Sequence, residues 1–330
     1  MKNIAVLTVL VIIIGASTAN NSAYCQNLKK EKNYGFTFGT QYGFVQGQAL
    51  ELVYPIPGDT KGELLSELRW DMKPVFYYGA QLDFGRSNPM SGLGFSSSVS
   101  LKTGVPGDSG IMEDRDWMSQ ENGNLTHFSS HINKTHEFSR FDTAIGASFP
   151  VKSYFYLKPF LSVSWMRFSF TGRDGKIKYA RVKSVNPASY FPIDDNPIEE
   201  SLTGDDINYS QDWLFIAAGF SAGTKFLSRF SFDLSFQISP FTYCAAIDEH
   251  LARKYTFMDF SGWGLLLEPA GSLSFTVEQI KFSLEFDYRY IGKTRGESYS
   301  RQSGGSFYPT GAAGAGLSLA DFRFVVKLQI

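Results

Sequence analysis

Two short acidic pieces of this chain have residue types and spacing that could do chemistry: Asp114-Arg115-Asp116-Trp117-Met118 and Asp248-Glu249-His250. Each lies where a run of alternating apolar and polar residues gives way to a polar stretch. On a strand, side chains at i and i+2 point to the same face. Asp114 then shares a face with Asp116, and Asp248 with His250. Two carboxylates opposite a carboxylate–imidazole couple are a credible arrangement for activating water. Taken singly, each piece has a plainer reading, a solvated Asp-x-Asp turn or a surface histidine. The chemistry needs a fold that brings the two together.

Period-two alternation dominates the elements that would have to do so. Phe230, Phe232, Leu234, Phe236 and Ile238 alternate with Ser231, Asp233, Ser235, Gln237 and Ser239. Phe282, Leu284, Phe286, Tyr288 and Tyr290 alternate with Ser283, Glu285, Asp287 and Arg289, and the last residues, from Asp321 to Ile330, do the same with Val325 as the one break. No helical period of comparable length appears. A soluble sandwich or a membrane barrel could bury such strands. The barrel is favoured by strand length, by a C-terminal strand ending on an apolar residue, and by short turns alternating with long polar loops. Short turns are expected near 85–91, 150–153 and 226–229, and long loops near 107–134, 172–207 and 293–308.

The pattern predicts an all-β, ten-stranded antiparallel transmembrane β-barrel with long extracellular loops. Its strands fall near 34–55, 62–84, 92–106, 135–149, 154–172, 207–225, 229–248, 253–277, 278–293 and 309–330. An even count puts both termini on the periplasmic side. The first acidic piece then falls in an outer loop just past the third strand, and the second at the outer end of the seventh. The spacing of His127, His131 and His136 could suggest a metal, but no other ligand cluster accompanies them, and they read as solvated residues at and just past the end of that outer loop.

Composition agrees. The chain has 330 residues, a net charge of −1 and 16% aromatic residues, with 30 Phe and 17 Tyr. That charge gives no reason to expect a nucleic-acid partner. Mean hydropathy is −0.15, too low for a bundle of membrane helices but compatible with strands that turn polar residues into a lumen. The N-terminus reads as a secretory signal over residues 1–25: Lys2, an apolar run from Ile4 to Ile14 broken only by Thr8, then small residues from Gly15 to Ala19. Cleavage is expected between 19 and 25, leaving one barrel domain over 26–330 in the outer membrane. Cys244 would be the sole cysteine of the mature chain, so neither a disulfide nor a cysteine metal site is expected.

At these residues the chain resembles the omptins, ten-stranded outer-membrane endoproteases of Gram-negative bacteria. Asp114-Arg115-Asp116-Trp117-Met118 resembles the family's D-x-D-W-M segment, Asp248-Glu249-His250 its D-E-H, and Arg167-Phe168-Ser169-Phe170-Thr171 a piece of its central strand. The resemblance implies an aspartic-type endopeptidase with no metal and no protein nucleophile. Asp248 and His250 would activate a water, and Asp114 and Asp116 would hold it from the other side. Ser129 stands where the family has a serine, with a supporting role implied at most.

The resemblance also implies that Glu51 helps bind a basic side chain before the cut. Many omptins carry a second acid two residues before the D-E-H aspartate. This chain has Ala246 there, which implies weaker selection for a basic residue. Family members are activated by lipopolysaccharide on the outer wall. Val163 and Trp165 replace two of the contacts, leaving Arg167 as the lipid contact. A monomer acting on polypeptides at the extracellular side is expected. The competing reading is a surface adhesin of the same fold with little or no proteolysis. A small porin-like or lipid-modifying barrel is a third, and ten strands leave little lumen for a pore.

Overall fold

The computed structural model describes residues 34–330, except 56–63, 87, 120–122, 186–187 and 228. The expected signal segment lies outside the described residues. The strands are β1 Tyr34–Tyr54, β2 Ser66–Arg86, β3 Gly94–Gly104, β4 Gly107–Asp116, β5 His127–Lys152, β6 Phe155–Tyr179, β7 Val182–Val185 and β8 Ala188–Tyr190. They continue with β9 Ile198–Ser201, β10 Asp205–Phe226, β11 Phe230–His250, β12 Tyr255–Gly262, β13 Leu266–Val277, β14 Ile280–Ile291, β15 Arg295–Gln302 and β16 Tyr308–Gln329.

Three pairs of these are the lower and upper halves of single staves: β3 with β4, β13 with β12, and β14 with β15. The result is a ring of ten antiparallel staves. It closes where β1 pairs β16 from Thr37↔Gln329 to Tyr54↔Ala312. β7 and β8 form a small separate hairpin, and β9 adds to the top of β6.

Alternation explains which way each residue faces. In the lower half, Phe36, Phe38 and Tyr42 of β1, Phe76, Tyr78 and Leu82 of β2, and Phe232, Leu234 and Phe236 of β11 are exposed on the outside. These make the apolar band, its upper edge marked by an aromatic pair, Phe241 against Trp263 with ring centroids 5.7 Å apart, and by exposed Tyr243. The residues between them face a polar lumen.

Above the band the lumen changes character. Trp70, Met112, Phe168, Phe170, Tyr209 and Trp213 are buried inside the upper barrel. Phe138, Phe168, Phe170, Trp70 and Tyr209 form one continuous ring stack, with centroids 5.2–5.9 Å apart. The aromatic side chains thus serve two opposite faces. Below they meet lipid, and above they fill the barrel and form a floor.

The outer walls stand higher than the alternation implied. The first acidic piece belongs to a strand: Asp114 and Asp116 lie in β4, paired with Leu68 and Ser66 on one side and with Ser129 and His127 on the other. β5 begins at His127, eight residues before the expected start, so His127, His131 and His136 sit on a wall and not in a solvated loop. His131 is fully buried. Residues 295–302, expected in a loop, form β15. The second acidic piece ends the seventh stave, as expected.

Candidate active site

Register places the two acidic pieces on walls that face one interior. On β11 the inward residues above the band are Thr242, Cys244, Ala246 and Asp248, all buried. Asp248 lies five positions above Tyr243, clear of the apolar band. Its Oδ2 is 2.7 Å from Nε2 of His250. That contact takes one ring nitrogen and leaves Nδ1 as the one free to accept a proton. Phe257, the cross-strand partner of Asp248, packs edge-on to the imidazole at 5.6 Å and limits its rotation. Burial alone would lower the His250 pKa. The hydrogen bond to Asp248 and that group's charge outweigh burial and raise it, with a further lift from Asp114.

The facing carboxylates are held by β2. Ser66 Oγ donates to Asp114 Oδ1 at 3.1 Å and also opposes the rise of Asp116. Burial pushes the Asp114 carboxyl up to about 8, with Asp116 adding repulsion, while Ser66 and His250 oppose the rise. Asp116 is raised too, again first by burial, with His127, Arg253 and His250 pulling the other way. His250 and Asp114 each act on the other's proton affinity, so the two pairs share one polar cleft at the mouth of the barrel. Two carboxyls and an imidazole whose proton affinities are all raised form a set that can hold, take and return protons.

A match to the Omptin family model covers residues 32–329. The chain belongs to the omptin family. The plasminogen activator of Yersinia pestis is 24% identical over 342 residues, covering 99% of this chain and 98% of that protein. The outer membrane protease OmpT from Escherichia coli superposes with a TM-score of 0.77 at 18% identity, covering 92% of this chain and 99% of the other. Family and fold make this an outer-membrane barrel of a protease family.

The remaining expected residues of this omptin fall in two groups. Glu51 is buried on the inner face of β1, nine positions and so roughly 30 Å of strand beyond Tyr42 of the band. Its Oε2 has no hydrogen-bond partner. Burial raises its pKa well above the ordinary carboxylate range, with the charges of Asp248, Asp259 and Asp114 adding to the rise. Glu51 therefore belongs to the same cleft.

Ser129 lies cross-strand from Asp114, and its Oγ is 3.0 Å from His131 Nε2. Asp206 Oδ2 approaches the same Nε2 at 3.9 Å, and Nδ1 of His131 has no partner. A nucleophile relay needs the acid on the opposite nitrogen, so Ser129 and His131 brace the wall behind Asp114. Arg167 is on the outer wall, away from the cleft. Its guanidinium is already engaged by Glu137 Oε2 at 3.0 Å and Asp212 Oδ2 at 2.9 Å.

Sequence reasoning missed Ser66, which holds the carboxylate pair, and Asp259, whose charge acts on Glu51 and which itself feels the charge of Asp248. It also missed Arg253 in the turn 251–254, whose charge acts on Asp116 and His250. None of the three belongs to a motif. They are found only through cross-strand pairing or through a turn that folds over the cleft.

Proposed function

We propose that this omptin is an endopeptidase that hydrolyses polypeptides at the extracellular face of the outer membrane. The observation that carries the reading is the Asp248–His250 couple, joined at 2.7 Å, sharing a cleft with Asp114 and Asp116. His250 accepts a proton from a water held in that cleft. The hydroxide adds to the scissile carbonyl carbon, and the imidazolium returns the proton to the departing amine as the C–N bond breaks. Asp248 orients the ring and stabilises its charged form.

Asp114, with its pKa near 8, carries a proton at neutral pH. A carboxylic acid kept neutral can donate a hydrogen bond to the carbonyl oxygen as negative charge builds there. Asp116 shares the water with it, Ser129 supports the wall, and Glu51 helps seat the residue before the cut. The chemistry needs no protein nucleophile and no cofactor. The chain acts as a monomer. With Arg167 already paired to two acids, lipopolysaccharide is not required for activity.

The test is digestion of a peptide library by refolded wild type and by the Asp248→Ala/His250→Ala double variant, with and without lipopolysaccharide. Cleavage by wild type and a loss of ~10²–10⁴-fold in the variant are expected. Absence of cleavage by wild type under every lipid condition would overturn the protease reading in favour of a binding barrel. Equal cleavage by both proteins would overturn the residue assignment. Cleavage only with lipopolysaccharide would overturn the lipid-independence.

A further inference from the structure

Ala246 suggested a pocket short of one acid. The register supplies that acid from the next strand. Ala246 of β11 pairs directly with Asp259 of β12, so the two share the inward face on strands about 5 Å apart. Asp259 is buried, only 5% exposed, and its Oδ1 has no hydrogen-bond partner. Its other restraint is Ser298, its cross-strand partner on β15. Asp259 is also the diagonal neighbour of Asp248, which puts it about 7 Å from the catalytic couple.

On the other side of Ala246 stands Gln211 of β10. Its Nε2 donates to the carbonyl of Leu50 at 2.7 Å, the residue next to Glu51, and to the Tyr209 hydroxyl at 2.7 Å. Gln211 therefore ties the Ala246 level to the Glu51 level across the barrel. Ala246 puts only a methyl group between Gln211 and Asp259 on this face. The stack of Trp70 on Tyr209, 5.2 Å apart and nearly parallel, lies against the same carboxyls: Trp70 acts on Glu51, and Tyr209 feels the charges of both Glu51 and Asp259.

Two buried carboxylates with an unpartnered oxygen each, above an aromatic floor, are costly to leave unpaired and well made to receive a cation. We propose that Asp259 and Glu51 together form the pocket for a basic side chain before the scissile bond, with Asp259 as a specificity-determining residue that stands in for an acid at 246. Two separate carboxylates suit the forked guanidinium of arginine better than the point charge of lysine. The inference rests on the protease reading for its substrate and on this geometry for its charge. Burial, against the bond from Ser298 and with the charge of Asp248, pushes the Asp259 carboxyl up to about 7. A neighbouring guanidinium would draw that proton off, coupling pocket filling to charge pairing.

The experiment compares two peptides that differ only in the residue before the cut, arginine or its neutral isostere citrulline. Wild type is expected to favour arginine by ~10–100-fold in kcat/KM. Asp259→Asn should cut that ratio towards 1, whereas damage to the fold would lower both peptides together. An unchanged ratio in Asp259→Asn would overturn the proposal. A second measurement separates the two readings: quenching of tryptophan fluorescence by the arginine peptide amide, with the citrulline amide as control. If wild type cuts nothing but binds the arginine amide, and Asp259→Asn does not, the pocket stands and the protease reading falls. Equal affinity of both amides for wild type sinks the pocket itself.

Discussion

His250 can act as a base only when neutral, and its pKa is raised chiefly by Asp248. Activity should therefore climb with pH through that raised value. In Asp248→Asn the lift is lost and burial pulls the imidazole down, so the acid limb of kcat/KM should move to lower pH while the plateau falls. A limb that stays in place, or moves upward, would show that Asp248 does not govern the base. Asp114 makes a second prediction of opposite character. Its carboxyl rises from 3.8 in the unfolded chain to about 8 in the fold. Between those values the folded protein holds a proton that the unfolded chain has released. Stability therefore falls as pH rises through the window, and below it there is no penalty. Asp114→Asn should be inactive yet more stable than wild type at pH 8, on the order of 1 kcal/mol, with the gain gone near pH 4. Urea midpoints in detergent at the two pH values measure it, and a variant less stable at pH 8 would refute it.

At the scale of elements, ten staves were readable because the apolar band forces strict alternation: lipid rejects polar side chains, so every second residue declares its face. Above the band that discipline lapses. β4 carries Asp108, Glu113, Asp114, Arg115 and Asp116 within ten residues, with a register shift between Asp108 and Ile111 and Gly110 at φ +110°, so its sequence resembles a loop. The catalytic-type pairs were still legible, since i, i+2 spacing survives on any strand. Asp259 was not, since its meaning depends on its cross-strand pairing with Ala246, which no motif records. The upper strands also depend on close approach. A Cβ on Gly296 would lie 1.9 Å from the Phe260 carbonyl oxygen of β12. Gly296→Ala must therefore push β15 off β12, the strand that carries Asp259. A cost of about 1–3 kcal/mol is expected, with a fall in the arginine-to-citrulline ratio. Wild-type stability in the variant would mean that β12 and β15 do not need this contact.

For the molecule as a whole, the charged lumen at membrane level could be a conduit or a lock, and its wiring decides between them. Arg140 of β5 reaches Asp142 at 2.7 Å, Glu268 of β13 at 3.2 Å, Asp287 of β14 at 3.0 Å and Asp321 of β16 at 3.3 Å. Lys102 of β3 adds a contact to Asp321 at 2.5 Å, and Arg289, fully buried, joins Glu268 at 2.7 Å and lies over the buried Phe215 ring of β10. One set of ion pairs thus spans the lumen between opposite walls, directly under the floor of the cleft. Charges lining an open channel would face water and point along the strands; these face one another and, Asp142 apart, are nearly inaccessible. Removing one partner of a buried network leaves its counter-charges uncompensated, a cost of about 3–5 kcal/mol. Arg140→Ala is therefore expected to lower the unfolding free energy by that amount, read from the shift of the urea midpoint, while peptide cleavage by the folded fraction, a storey above, stays near the wild-type level. Wild type should show no steady ion conductance in a planar bilayer. Conductance in wild type, or a variant as stable as wild type, would make the lumen a conduit.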